Sequence, residues 1–213
     1  MIVILDYGMG NVASMSNMLR KVGGETIVSA SEDQIEKADA IILPGVGAFD
    51  NGMIKLKQSG LLALVEKRVI QEKIPFLGVC LGMQLLFNSS DEGTEAGLGW
   101  LKGSVKRFDF SNITNSNRLK IPHMGWNYIK QRDDPLFEGF ENDARFYFVH
   151  SYHVNCDIEH DIIASSVYGN EFTCAVKYEN IYGVQFHPEK SHKYGEKLFK
   201  NYLNIIKSSV VSG

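Results

Sequence analysis

The sequence predicts an α/β fold, an open, twisted, mostly parallel or mixed sheet with helices on both faces. Two observations carry this. In the first half of the chain, short apolar runs alternate with helical patterns, which is how a parallel sheet covered by helices reads. From about Gly103 the pattern changes to alternating, hairpin-like runs such as Arg145-Phe146-Tyr147-Phe148-Val149, which add antiparallel strands.

Taken in order, Ile2 to Asp6 reads as a buried strand and Asn11 to Val22 as a helix stopped by Gly23-Gly24. Thr26 to Ala30 is a second strand. Ser31 with Gln34 forms a capping-box pattern that opens a short helix. Ala40 to Leu43 is a third strand, ending at Pro44-Gly45-Val46-Gly47. Leu61 to Lys73 is helical, Pro75 to Val79 is strand-like, and Leu81 to Asn88 is helical again. Asp109 to Asn117 is polar and reads as a surface loop. Phe172 to Val176 and Ile181 to Phe186 form a final strand pair. The closing helix carries Leu198, Tyr202, Ile205 and Ile206 on one stripe, which is core spacing.

At 213 residues the chain fits one domain, residues 1–213, with a sizeable core. A formal net charge of −3 lacks the basic footprint that nucleic-acid binding needs. The N-terminus has no basic segment ahead of its short apolar run, and no apolar stretch approaches the roughly 20 residues that span a bilayer. Three cysteines, Cys80, Cys156 and Cys174, are too few and odd in number for a secreted disulfide framework. The expectation is a reduced, cytoplasmic, enzyme-sized domain with neither membrane nor nucleic acid as a partner.

Gly78-Val79-Cys80-Leu81-Gly82 has the form of a nucleophile elbow with cysteine at its tip. A strand runs into the turn and a helix leaves it. The flanking glycines suit a turn with no room for side chains. The helix N-terminus favours a thiolate on Cys80 and aims the Leu81 N–H at a developing oxyanion. A structural cysteine in a glycine-rich turn is the competing reading. A thiolate also needs a proton shuttle, and Gln185-Phe186-His187-Pro188-Glu189 supplies one. His187 and Glu189 are two apart, so extended backbone projects them to one side, where the carboxylate can orient the imidazole.

Phe76 to Gln84 together with His187-Pro188-Glu189 resembles the class I (triad) glutamine amidotransferases. Further segments resemble, within that family, the glutaminase subunits of imidazole glycerol phosphate synthases of histidine biosynthesis. They are Asp6 to Asn11, Pro44 to Gly47, Pro122 to Asn127, Tyr147 to Tyr152 and Val184 to Ser191, and they are spread over nearly the whole length of the chain. The resemblance implies a flavodoxin-like sheet with an added β-hairpin region. It implies that Cys80 is the nucleophile, His187 the acid/base and Glu189 the orienting carboxylate. Leu81 N–H and, after a backbone reorientation, Val46 N–H would hold the oxyanion. Gly47, Gln84, Glu92, Ser151 and Tyr152 would hold the glutamine substrate.

By the same resemblance His123, Met124, Trp126, Asn127 and Tyr147, read as part of a short loop and its neighbours, border a cyclase/synthase partner subunit and the ammonia exit. The partner, as the second member of a heterodimer, would make imidazole glycerol phosphate and aminoimidazole carboxamide ribotide. No cofactor is implied. A paralogous subunit serving an amidino-sugar route, and a stand-alone γ-glutamyl cysteine hydrolase, remain open as alternatives. Nothing functional is carried onto Asp109 to Asn117.

Two other patterns are set aside. Gly8-Met9-Gly10-Asn11-Val12-Ala13 satisfies the dinucleotide fingerprint, but the second strand runs out at Ser29-Ala30 without its acidic residue. His150 and His153 lie close in sequence, but on a strand they face opposite ways, and no cysteine pair accompanies them, so no metal site is expected.

Overall fold

The computed structural model describes residues 1–113 and 119–211. Strands β1 (Ile2–Leu5), β2 (Thr26–Ser29), β3 (Ala40–Gly45) and β4 (Phe76–Cys80) alternate with helices α1 (Val12–Lys21), α2 (Glu32–Glu36), α3 (Phe49–Gln58), α4 (Leu62–Glu66) and α5 (Leu81–Gln84). The second half supplies β5 (Gly103–Arg107), β6 (His123–Gln131), β7 (Arg145–His150), β8 (Tyr152–Cys156), β9 (Ile162–Tyr168), β10 (Asn170–Tyr178) and β11 (Ile181–Val184), closed by α6 (His192–Val211).

These strands form one mixed sheet in the order β2-β1-β3-β4-β11-β10-β9-β6-β7, with β5 and β8 branching from β10. The pairs from β2 to β11 are parallel, and those from β11 to β7 antiparallel. The antiparallel part is thus larger than an added hairpin. It extends the parallel half beyond β11 and carries β6 and β7 to the far edge.

Alternate residues of the parallel strands feed two cores, one on each face. Ile2, Ile4, Ile42, Leu77 and Val79 pack with Met15 and Leu19 of α1 and Leu198 and Tyr202 of α6. Val3, Leu5, Ile41, Leu43 and Phe76 pack with Met53 and Leu56 of α3 and Val65. Burial of this apolar surface from water is the main force holding the layers together. No helix among the described residues is long and apolar enough to cross a membrane.

Several local expectations change. Ser31 sits at the N-cap of α2 but its side chain makes no cap hydrogen bond, so the capping box does not form. The Leu61–Lys73 helix divides into α4 and a π-helical turn at Lys67–Gln71. Helix α5 stops after four residues instead of reaching Asn88. The reason is long-range, because the carbonyls of Leu85, Leu86 and Phe87 accept from the N–H groups of Leu98, Leu101 and Gly99. Helix α3 was not anticipated. Asp50-Asn51-Gly52 has turn composition, yet Gly52 is buried, and a Cβ there would lie 3.0 Å from Leu81. The polar stretch expected as a surface loop is turn and coil as far as Ile113, and its residues 114–117 lie outside the described residues.

Strands β3, β4 and β11 lie side by side, and Gly45 pairs in register with Cys80. The carboxyl ends of these three parallel strands therefore meet at one edge, the place where open α/β sheets put ligands.

Candidate active site

Strand β4 turns into α5 at Cys80, whose φ of 54° and ψ of −109° place it in a region that side chains rarely adopt. Such strain marks a nucleophile elbow. The flanking glycines are required by contact. A Cβ on Gly78 would lie 2.5 Å from the Gly82 carbonyl oxygen, and one on Gly82 only 1.9 Å from that of Leu43. With α5 only one turn long, the contribution expected from a longer helix is reduced. What the turn offers the cavity is its first N–H groups, Leu81 among them, which no helical carbonyl can satisfy.

Three residues past β11, His187 is fixed through its backbone. Its N–H donates to the Tyr147 carbonyl of β7 at 2.9 Å, and its own carbonyl accepts from Ser191 Oγ at 2.7 Å. His187 Nδ1 lies 2.8 Å from Glu189 Oε1, with both side chains 2% exposed. The two meet across a 3-10 turn at Pro188–Lys190 and not along extended backbone, because Pro188 starts the turn. His187 Nε2 is buried without a hydrogen bond among the described residues, and the Cys80 thiol is the group that faces it. Burial works to lower the His187 pKa, but Cys80 and Glu189 outweigh it and raise it to about 10. At neutral pH the ring is therefore an imidazolium held between a sulfur and a carboxylate.

Cys80 opens into a cavity of about 400 Å³. Leu81, Val46, Gly47, Gln84, Glu92, Ser151 and Tyr152 all line it, so the predicted oxyanion and substrate residues are brought together. Val46 is 43% exposed, and Gly47 has a φ of +109° that favours glycine. Glu92 is aimed by its carboxylate, which accepts the Phe49 N–H at the start of α3 at 2.8 Å. Asp50 fixes the same loop by accepting the N–H groups of Thr94 and Glu95, each at 2.9 Å, and those two bonds hold its carboxyl below the usual range. Asp50 is a residue that sequence reasoning missed, hidden with the rest of α3.

Further ones were missed. Gln185 is fully buried, accepts from Gln84 Nε2 at 2.9 Å and points its own Nε2 at Cys80 Sγ, 3.8 Å away. Tyr7 donates to the Pro44 carbonyl at 2.7 Å, and burial followed by the nearby Cys80 charge raises its pKa. The Gly8–Gly10 turn that mimics a dinucleotide fingerprint packs here too, since a Cβ on Gly10 would lie 2.9 Å from the Pro44 side chain. His150 lines the cavity although its sequence context suggested a structural role. The expectation that His150 and His153 face opposite ways fails. The chain bends at Ser151 between β7 and β8, and both rings pack on Phe108, at 5.1 and 4.8 Å. No group of three His, Cys, Asp or Glu among the described residues could hold a metal ion.

The segment expected as a loop at the partner face is strand β6, and its residues divide between two faces. Met124, Trp126 and Tyr128 are exposed, at 63, 43 and 57%. His123 is 3% exposed and cannot be a surface contact. It points inward with Asn127, whose Nδ2 lies 3.3 Å from His123 Nε2. Tyr147, on neighbouring β7, stacks edge-on against Trp126 at 6.4 Å, and Lys190 Nζ lies 5.8 Å over its ring. His192 stacks flat on Trp126 at 5.6 Å.

The family described as glutamine amidotransferase class-I matches residues 3–205. The chain is 52% identical to the imidazole glycerol phosphate synthase subunit HisH 2 of Methanococcus maripaludis, over 95% of this chain and 98% of that protein. It is 48% identical to the subunit HisH of Bdellovibrio bacteriovorus, over 96% and 100%. Among solved structures, a glutamine amidotransferase superimposes with a TM-score of 0.75 at 19% identity, covering 97% of this chain and 98% of that one. The glutaminase domain of Trypanosoma brucei CTPS gives 0.65 at 16%, covering 97% and 93%. These structural likenesses show the fold, and the sequence matches show the lineage. With an elbow cysteine, a buried His–Glu pair and a cavity at one sheet edge, the chain belongs to the class-I glutamine amidotransferases, in the branch of the imidazole glycerol phosphate synthase HisH subunits.

Proposed function

We propose that this chain, acting as one domain, hydrolyses glutamine to glutamate and ammonia and passes the ammonia to a synthase subunit that makes imidazole glycerol phosphate. The observation that carries the reading is the line Cys80–His187–Glu189, buried behind Cys80, which itself opens into a cavity large enough for an amino acid.

In this reading the Cys80 thiolate attacks the side-chain amide carbon of glutamine. The oxyanion is held by Leu81 N–H and by Val46 N–H once the Val46 peptide turns inward, a movement that the exposure of Val46 and the glycines beside it allow. The imidazolium of His187 gives its proton to the leaving nitrogen, the C–N bond breaks, and ammonia departs from a γ-glutamyl thioester. Neutral His187 then takes a proton from water, which attacks the thioester and releases glutamate and the Cys80 thiolate, restoring the thiolate–imidazolium pair. Glu189 orients the ring and stabilises the imidazolium whenever it forms. Gly47, Gln84, Glu92 and the chain at Ser151 and Tyr152 hold the substrate. The chemistry calls on no cofactor.

The exposed Met124, Trp126 and Tyr128 with Tyr147 are the proposed docking face for the synthase subunit, since Met and aromatic side chains are enriched in interface cores. The acceptor follows from the relatives, which are named as subunits of imidazole glycerol phosphate synthase. Three free cysteines among the described residues suit the cytoplasm.

The test is glutamate release from glutamine by the purified chain, alone and with the synthase subunit and its ribotide ligand. Activity is expected to be weak alone and strongly stimulated in the complex, and Cys80→Ala should abolish both. Hydrolysis that survives Cys80→Ala, or full activity without the partner, would overturn the assignment of the nucleophile or of the Val46 movement respectively.

A further inference from the structure

Two buried histidines stand outside this chemistry, and their hydrogen bonds leave no choice of donor and acceptor. The Tyr152 carbonyl can only accept, so His150 donates to it from Nδ1, at 2.8 Å. Burial lowers His150 to about 3 and His123 to about 4, so each ring is neutral at pH 7 and has one donor and one acceptor nitrogen. His150 Nε2 therefore accepts from His123 Nδ1–H at 3.0 Å. His123 Nε2 accepts in turn from Asn127 Nδ2, whose other hydrogen goes to the Val167 carbonyl at 2.9 Å.

At the inner end, the Tyr152 carbonyl accepts a second bond, from Gln84 Nε2 at 3.0 Å. The remaining hydrogen of that amide goes to Gln185 Oε1. With both hydrogens engaged, Gln84 offers the cavity its carbonyl oxygen.

We propose that Asn127, His123 and His150 are positioning residues for glutamine binding. Through the Tyr152 carbonyl they hold the Gln84 amide with Oε1 turned to the substrate, and they tie that orientation to β6, whose outer face is the proposed docking face. Asn127 sits next to Trp126 and points to the opposite side of the strand, so pressure on the outer face reaches the inner chain of bonds in one residue. The inference rests on the glutamine-hydrolase reading of the site.

His123→Phe tests it cleanly, because the ring can keep its stacks on Tyr168 at 4.0 Å and Phe148 at 5.0 Å while both hydrogen bonds vanish. If the weakened hold on the Gln84 amide is worth about one neutral hydrogen bond, the KM for glutamine in the complex should rise about fivefold with kcat within about twofold. The melting temperature should fall by only a few degrees, the cost of the buried partners left unpaired. His150→Phe should raise KM similarly, and His150→Asn, which keeps a donor near the Nδ1 position, should recover most of it. Unchanged KM in both Phe variants overturns the proposal. So does a KM increase that follows lost thermal stability and is not rescued by Asn.

If a Phe variant does not fold, ¹⁵N-histidine spectra of the otherwise unaltered Cys80→Ala protein decide. Both rings should be Nδ1–H tautomers, and saturating glutamine should shift them. An Nε2–H tautomer at either, or no shift, overturns the proposal. An unmodified complex that does not hydrolyse glutamine would instead sink the functional reading, and this is seen before any variant is made.

Discussion

Replacing Glu189 by Gln keeps the shape of the His187 partner and removes its charge. The pair is 2.8 Å apart with both side chains 2% exposed, so water screens it little. A buried hydrogen bond to a charged group contributes about 1.5–3 kcal/mol, which at about 1.4 kcal/mol per unit is about one to two pKa units. From about 10, the His187 pKa should therefore fall to about 8–9. In the proposed mechanism the imidazolium is the proton donor to leaving ammonia, so the alkaline limb of kcat should report this group. Initial rates of the partner-stimulated enzyme measured from pH 6 to 10.5 should show that limb moving down by about one to two units in Glu189→Gln. Stability should follow the same proton. A raised pKa in the folded state gives stabilisation that is full below about 6.5 and is lost as pH rises through about 10. Urea unfolding should therefore show the unaltered protein weakening across that window more steeply than the variant. An alkaline limb that stays in place, or moves up, refutes the argument that Glu189 holds the proton on His187.

Other perturbations have similarly direct readouts. Gly82→Ala forces a Cβ to within 1.9 Å of the Leu43 carbonyl oxygen, backbone against backbone, and should cost at least about 3 kcal/mol in urea unfolding. A near-neutral result would mean that the elbow has slack the contacts deny. Asp50→Ala removes the acceptor for the Thr94 and Glu95 N–H groups and frees the loop that carries Glu92, so the KM for glutamine should rise about three- to tenfold with little change in melting temperature. Trp126→Ala on the exposed face of β6 should weaken association with the synthase subunit about thirtyfold, measured by calorimetry, as expected of an aromatic anchor.

The parts of the site that were legible in the sequence are those where chemistry and backbone demand the same residues. Gly78 and Gly82 are glycines because a side chain at either would overlap the backbone of the same elbow or of β3, so the motif and its cause are both local. His187 and Glu189 were legible as a pair, though the turn that joins them was not. What escaped depends on distant chain. Helix α5 ends early because residues 97–101 claim its next carbonyls, and no local pattern announces that. Helix α3 was hidden because Gly52, a turn residue by composition, is there to let Leu81 and Leu85 pack close. His150 and His153 share a cluster because the strand breaks at Ser151, which period-two reasoning cannot see. Gln185, adjacent to the motif, gave no signal of its own beyond being polar in an apolar strand.

The side-by-side placement of β3, β4 and β11 bears on how the activity would be controlled during synthesis. The elbow is complete once residue 85 has left the ribosome, but the strand that delivers His187 is the last of the sheet. It must slot between β4 and β10, both made earlier, before sulfur and imidazole can meet. In the proposed mechanism, a nascent chain or one clipped before residue 187 would thus carry the cysteine without its proton shuttle, and would not hydrolyse glutamine. In that reading, adding β11 to the sheet is the step that brings the two halves of the site together.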